Sequence, residues 1–240
     1  MKLTVYAPCF NEIFYAKAWL ANVSKLKPSE IVVADTGSTD GSLEFFQAQK
    51  DVKIVTDFKT SHRFDWNEAE LRNFVIEQAT GDIILALDLD ELVGDEFSSV
   101  LTDFSRSNYL IGRLVEYKFW GDMRHLRKRS LKPLIRNGKI GWLSNWRGAY
   151  PNKRPQLFRK HPDVKYKGRI HPVLQYKAYG KFGFYTPWVT KNYTCGVYHY
   201  HFAGTPVKNG EDRYLDRFDR VKLVEFKGQH PKEINLFELL

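Results

Sequence analysis

The stretch that most constrains this chain is GDIILALDLDE, residues 81–91. Ile83, Ile84, Leu85, Ala86 and Leu87 form an unbroken apolar run of strand length. That pattern suits a strand buried on both faces of a sheet flanked by helices. The run stops at Asp88, and Asp90 and Glu91 follow directly. Carboxylates cannot stay in an apolar interior without a large desolvation cost, so they must emerge at the strand's C-terminal end. Ligands of open α/β sheets bind at that end. Strand alternation would turn Asp88 and Asp90 to one side, with Leu89 between them. Two carboxylates there call for a positive partner, and a divalent cation shared with a phosphate meets that need. An acidic strand end feeding a helix cap is the simpler alternative.

The residues before this stretch alternate strand with helix. Leu3 to Ala7 reads as a strand stopped by Pro8, and Ile13, Ala16, Leu20 and Val23 fall at helical spacing behind it. Ile31 to Ala34 is a second buried strand ending at Asp35, followed by the turn-rich TGSTDGS. A helix to about Lys50, a strand from Val52 to Val55, and a helix from Trp66 to Ala79 stopped by Gly81 complete the series. The alternation predicts an α/β fold: a mostly parallel, Rossmann-like sheet with helices on both faces. The first strand lacks a GxGxxG turn, which argues against an ordinary dinucleotide fold. Later elements are a helix over 95–105, strands over 109–120, 164–170 and 195–202, and an amphipathic helix over 211–227. Residues 121–160 read as basic and loop-rich. Without a linker, the reading is one domain, with a ligand-binding part over 1–120 and a basic part over 121–240 packed on it.

The charge is split between these parts. Residues 1–120 carry 12 Lys and Arg against 19 Asp and Glu, whereas residues 121–240 carry 25 against 9. Arg124, Arg127, Lys128, Arg129, Lys132, Arg136 and Lys139 lie within sixteen residues. The basic half suits an anionic partner. No apolar run approaches the ~18 residues of a membrane span. The opening MKLTVYAPCFNE does not read as a secretory signal, and Cys9 and Cys195 lack paired spacing. The expected setting is cytoplasmic, with or without peripheral contact with a membrane surface.

Three runs carry a family resemblance. YAPCFNE, VADTGSTDGS and LRNFVIEQATGDIILALDLDE resemble, in order and spacing, the PTYNE start, the VDDGSTDGS turn and the ARN…GDYILFLDADD segment of family 2 glycosyltransferases with a GT-A fold. The resemblance covers about the first 100 residues. It implies a metal-dependent, inverting transfer of a sugar from a nucleoside diphosphate sugar to an acceptor hydroxyl. It implies that Asp35 accepts the imide N–H of uracil or thymine, and that Pro8, Phe10 and Glu12 line the base and ribose pocket. Arg72 would reach the base or diphosphate, Asp88 and Leu89 would lie against the donor, and Asp90 with Asp88 would hold Mn2+ or Mg2+. His201 would complete the metal shell, with His199 in reserve and His171 of similar standing.

PQLFRKHPDVKYKGRIHP resembles an RLFR…G-x-IHE pattern more loosely, with Gln156 in place of arginine and Pro172 in place of glutamate. An inverting transferase needs a carboxylate as general base. Glu116, Asp122, Asp163, Glu211 and Asp212 remain, with Asp212 and Glu211 favoured. Arg127, Lys128 and Arg129 are the expected acceptor-side cations. Trp120, Trp142, Trp146, Tyr150 and Trp188 would stack on sugars or fill core. The acceptor reads as a glycan or lipid-linked saccharide, or a hydroxylated base in DNA. Two other classes fit less well. A nucleotidylyltransferase would need a glycine-rich basic loop after the first strand, and a non-enzymatic nucleic-acid binder would carry a recognisable binding motif.

Overall fold

The computed structural model describes residues 2–58, 67–120, 122–128, 133–136, 139–142, 152–169, 172–176, 189–202 and 222–238. In chain order the first elements are β1 (Leu3–Cys9), α1 (Ile13–Ser24), β2 (Glu30–Asp35), α2 (Ser42–Gln47), β3 (Val52–Val55), α3 (Glu68–Gln78) and β4 (Ile83–Ala86). β5 (Glu91–Val93), α4 (Phe97–Arg106), β6 (Ile111–Trp120), β7 (Asp122–Lys128), β8 (Pro133–Arg136) and β9 (Lys139–Trp142) follow. The remainder is β10 (Asn152–Arg159), β11 (Val164–Lys167), β12 (Val173–Tyr176), β13 (Thr190–Phe202), β14 (Lys222–Glu225) and a 3-10 helix (Lys232–Glu238).

β3, β2, β1 and β4 pair in parallel, in that spatial order. Alternation along these strands feeds two cores. Val5, Ala7, Val33 and Leu85 face α1, α2 and α4, where Trp19, Phe46, Phe97 and Phe104 are fully buried. Tyr6, Val32, Ala34 and Ile84 face Leu71, Val75 and Ile76 of α3 and the β11–β12 hairpin. The α/β class expected from the first half is therefore realised. Gly81 makes the close entry into β4 possible, since a Cβ there would lie 2.6 Å from the Thr4 amide nitrogen.

Residues 121–160 differ from their loop-rich reading, whereas the strands expected over 164–170 and 195–202 correspond to β11 and β13. β10 inserts between β4 and β6, antiparallel to both, and β7 pairs with β6 and β14. Lys153 and Pro155 lower the strand propensity of β10, but the edge of β4 supplies a partner that overrides it. β13 runs parallel to β6 and antiparallel to β5. The helix expected over 211–227 is not formed at its C-terminal end, where Lys222–Glu225 pairs with β7 as a strand. The rest of that segment, with Glu211 and Asp212, lies outside the described residues, as do His171, Arg129, Trp146, Tyr150 and Trp188. Asp122, Arg127, Lys128 and His201 are placed on strands by their backbone alone. Among the described residues, no helix is long and apolar enough to cross a membrane.

Candidate functional site

The loops after β1 and β2 are joined by their own side chains. Asn11 takes a left-handed backbone (φ 54°), and its Oδ1 accepts the Thr39 amide at 2.7 Å. Ser38 Oγ accepts the Asn11 amide, and Ser42 Oγ accepts the Glu12 amide, both at 2.9 Å. Asp40 Oδ2 accepts the Ile13 amide at 3.0 Å, so an acid from the second loop caps the start of α1. Turn-forming residues of TGSTDGS thus hold the loop of the first strand. Asp35 sits at the base of this unit and is 2% exposed. Its Oδ1 accepts the Gly37 and Ser38 amides at 2.9 and 3.0 Å, while its buried Oδ2 has no hydrogen-bond partner among the described residues. Pro8 and Phe10 are half-buried and Glu12 is buried on the neighbouring strand end.

The acidic stretch after β4 turns sharply. The Glu91 amide donates to the Asp88 carbonyl at 2.9 Å, and the Trp19 indole donates to the Leu87 carbonyl at 3.1 Å. The alternation expected for residues 88–90 is replaced by this turn, which sends the carboxylates to different partners. Asp88 Oδ1 accepts Arg72 Nη2 at 2.8 Å. Asp90 Oδ2 lies 3.5 Å from His199 Nε2. Leu89, expected beside the donor, is fully buried in the core instead.

A second group of charges adjoins the first. Arg154 Nη1 donates to Glu91 Oε1 and, at 3.1 Å, to Glu116 Oε1. Gln156 Nε2 donates to Glu91 Oε2 at 2.6 Å, and Glu116 Oε1 lies 3.2 Å from His199 Nδ1. Burial pushes the Glu91 carboxyl up to about 7, with Arg154 opposing and the Asp88 charge adding to the rise. Burial acts in the same direction on Asp88, but Arg72 and Arg154 outweigh it and hold that carboxyl below its ordinary value. Burial and Lys118 act to lower His199, yet the Asp90 and Glu116 carboxylates prevail and hold the imidazole up at about 9. Ligand atoms of Glu91, Glu116 and His199 lie within 4.8 Å of one another. The Arg154 guanidinium already bridges the two glutamates, whereas Asp90 and His199 supply one oxygen and one nitrogen donor close enough to share an ion.

Arg72 is 5% exposed. Its Nε and Nη2 both donate to Glu68 Oε1, at 3.0 and 2.8 Å, and its guanidinium lies 6.0 Å from the Tyr6 ring centroid and 5.5 Å from that of Tyr166. Sequence reasoning singled out Asp35, Arg72, Asp88, Asp90, Glu116 and His199, but gave no role to Glu68, Glu91, Arg154 or Tyr166. Two signals pointed to them: the i,i+4 spacing of Glu68 and Arg72, and the alternation of Arg154 and Gln156 with apolar neighbours.

The sequence profile of glycosyl transferase family 2 matches residues 4–208. A Haemophilus influenzae protein described as an uncharacterized glycosyltransferase is 27% identical over 150 residues, which cover 61% of this chain and 57% of that protein. Among solved structures, S. aureus TarS (residues 1–349) is similar at 20% identity and a TM-score of 0.46, over 70% of this chain and 50% of that one. The glucosyl-3-phosphoglycerate synthase of Mycobacterium tuberculosis, solved with Mn2+, UDP-glucose and glycerol 3-phosphate, is similar at 19% identity and a TM-score of 0.40, over 48% and 44%. The chain spans about half the length of these relatives.

Proposed function

Because the chain belongs to glycosyl transferase family 2, we propose that it transfers a sugar from a uridine or thymidine diphosphate sugar to an acceptor hydroxyl, with inversion. The observation that carries the donor reading is Asp35. Its Oδ2 is a buried acceptor without a partner among the described residues, at the end of a parallel strand where such sheets bind ligands. Uracil and thymine offer an imide N–H that satisfies it, and adenine does not. The joined loops then hold Pro8, Phe10 and Glu12 around the base and ribose.

The residues present fit a divalent cation. Asp90 and His199 are its ligands in this reading, with Asp88 and His201 as the further candidates from the sequence; the carboxylate oxygen suits Mn2+ or Mg2+, and an imidazole nitrogen favours Mn2+ of the two. A cation bound there would offset the charge of the leaving diphosphate. Glu116 is a poor general base: although burial acts to raise it, Arg154, Lys118 and His199 hold its carboxyl well below the ordinary range. Asp163 follows Lys160, whose ammonium caps the C-terminal carbonyls of α3, at the opposite end of that helix from Glu68. That leaves Glu211 and Asp212, with Asp122, as the carboxylates to take the acceptor proton.

The acceptor is anionic in this reading, a glycan or lipid-linked saccharide bearing phosphate. The β7–β14 pairing sets Lys128 opposite Lys222. A hydroxylated base in DNA is the alternative that the same charge favours.

A thermal-shift panel of uridine, thymidine, cytidine, guanosine and adenosine diphosphates, with and without Mn2+, tests the donor reading. Ligand at about 100-fold over its dissociation constant should stabilise the fold by about 2.7 kcal/mol. Equal shifts with adenosine and uridine diphosphates would count against it.

A further inference from the structure

We infer that Asn73 and Tyr166 are positioning residues: they lock a cover over Arg72, which in turn fixes Asp88, so the Arg-Asn pair of α3 acts through Asp88 rather than on the donor itself. This rests on the donor reading of Asp88 given above. Segment 160–169 runs antiparallel along the whole of α3. Lys160 Nζ donates to the carbonyls of Glu77 and Ala79 at 2.9 and 2.6 Å, and Lys165 Nζ lies 3.3 Å from Glu77 Oε1. At the other end, the Glu68 amide donates to the Arg169 carbonyl at 2.9 Å.

Midway, Asn73 Nδ2 donates to the Tyr166 carbonyl at 2.9 Å, and Asn73 Oδ1 accepts the Tyr166 amide at 2.8 Å. Among the described residues β11 pairs only with β12, and the Asn73 amide fills one place on its other edge as a peptide group would. Both polar atoms of one backbone residue are engaged, which sets the register of the hairpin against the helix. A shift by one residue would turn the Tyr166 ring away from Arg72.

That register has a consequence for the carboxylate. Arg72 lies between Tyr6 on β1 and Tyr166 on β11, with Glu68 and Asp88 as its hydrogen-bonded partners. Two rings and one helix-borne carboxylate hold the guanidinium plane, leaving Nη2 aimed at Asp88 Oδ1. Charge-assisted bonds of this kind orient the group they reach as well as neutralising it. The chain from Asn73 to Tyr166 to Arg72 to Asp88 joins the second half of the protein to the strand-end acids of the first. Residues that orient a metal-binding carboxylate or histidine alter metal affinity or activity by roughly 10- to 100-fold when lost.

The test uses the full chain, with two readouts in Asn73→Ala, Tyr166→Ala, Tyr166→Phe and the Asn73→Ala/Tyr166→Ala double variant. The first is the Arg72 Nε–H signal in 15N–1H spectra, assigned by its disappearance in Arg72→Lys. It should be shifted by the rings and slow to exchange in the wild type. The second is affinity for UDP with Mn2+ by calorimetry. We expect Asn73→Ala and Tyr166→Ala each to move the Arg72 signal, speed its exchange and weaken UDP binding by at least about tenfold. The double variant should be no worse than either single one, because both act through one contact. Tyr166→Phe, which keeps ring and backbone, should restore the wild-type signal.

An unchanged Arg72 signal in Asn73→Ala, or weakened UDP binding without that change, would overturn the proposal, as would additive effects in the double variant. If Asn73→Ala does not fold, Asn73→Asp, which keeps only the acceptor for the Tyr166 amide, carries the same comparison. A wild type that binds no UDP with Mn2+ overturns the donor reading instead, while the Arg72 signal still reports on the clamp.

Discussion

Replacing Asp35 by asparagine is the sharpest probe of the proposed donor pocket, because it changes one atom and leaves the turn intact. The Gly37 and Ser38 amides donate to Oδ1 at 2.9 and 3.0 Å. In Asp35→Asn these two donors keep the side-chain oxygen where Oδ1 is, so the new amide nitrogen must occupy the place of Oδ2. That place is buried and has no hydrogen-bond partner among the described residues. Uracil would then meet a donor with its own imide N–H. A hydrogen bond to a charged acceptor contributes about 1.5–3 kcal/mol, so UDP affinity should fall roughly 10- to 100-fold, with the unpaired donors adding to the loss. Cytosine carries an acceptor at the same ring position, so CDP should gain relative to UDP. Calorimetric titration of both nucleotides with Mn2+ into wild type and variant measures the ratio directly. The melting temperature should move little, since both turn bonds are kept. If the variant holds UDP within about threefold of wild type, or the CDP to UDP ratio does not move, Asp35 does not read the base.

Three further outcomes are expected. Asp90→Asn should remove most Mn2+-dependent stabilisation and donor turnover, and should also lower the unliganded melting temperature because buried His199 loses a charged partner; an unchanged Mn2+ response would place the ion elsewhere. Reversing Arg127, Lys128 and Arg129 to glutamate should weaken acceptor binding but spare donor hydrolysis. With duplex DNA as acceptor, the wild-type log–log salt slope should be about −0.9 per phosphate contact, and an uncharged glycan would give almost none. Glu30 accepts the Thr4 hydroxyl at 2.7 Å and the Thr80 amide at 2.8 Å. Burial acts to raise its carboxyl, but these bonds and Lys53 outweigh it, so the folded value lies below the unfolded one. Its contribution is therefore present above the unfolded value and lost as pH falls through the folded one. Glu30→Gln should therefore destabilise the fold near neutrality, with the difference shrinking as pH falls through the folded value, read from melting curves across pH; a constant difference would refute the assignment.

Much of the first half's fold was legible in the sequence for a local reason. Apolar runs of strand length, the carboxylates that end them and the turn chemistry of TGSTDGS each act within a few residues. Periodicity alone therefore located β1, β2 and β4 and placed Asp35, Asp88 and Asp90 at strand ends. Even there, residues 88–90 escaped, because strand alternation does not foresee a turn closed by the Asp88 carbonyl and the Glu91 amide. The second half was less legible because its strands depend on partners remote in sequence. β10 becomes a strand because β4 and β6 leave edges that it can fill, and that insertion carries Arg154 to Glu91 and Glu116. β13 brings His199 to Asp90 in the same way. Each residue type was in plain view, but none of these pairings follows from local pattern. Burial among opposite charges, decided only by the tertiary structure, selected their partners and set their protonation.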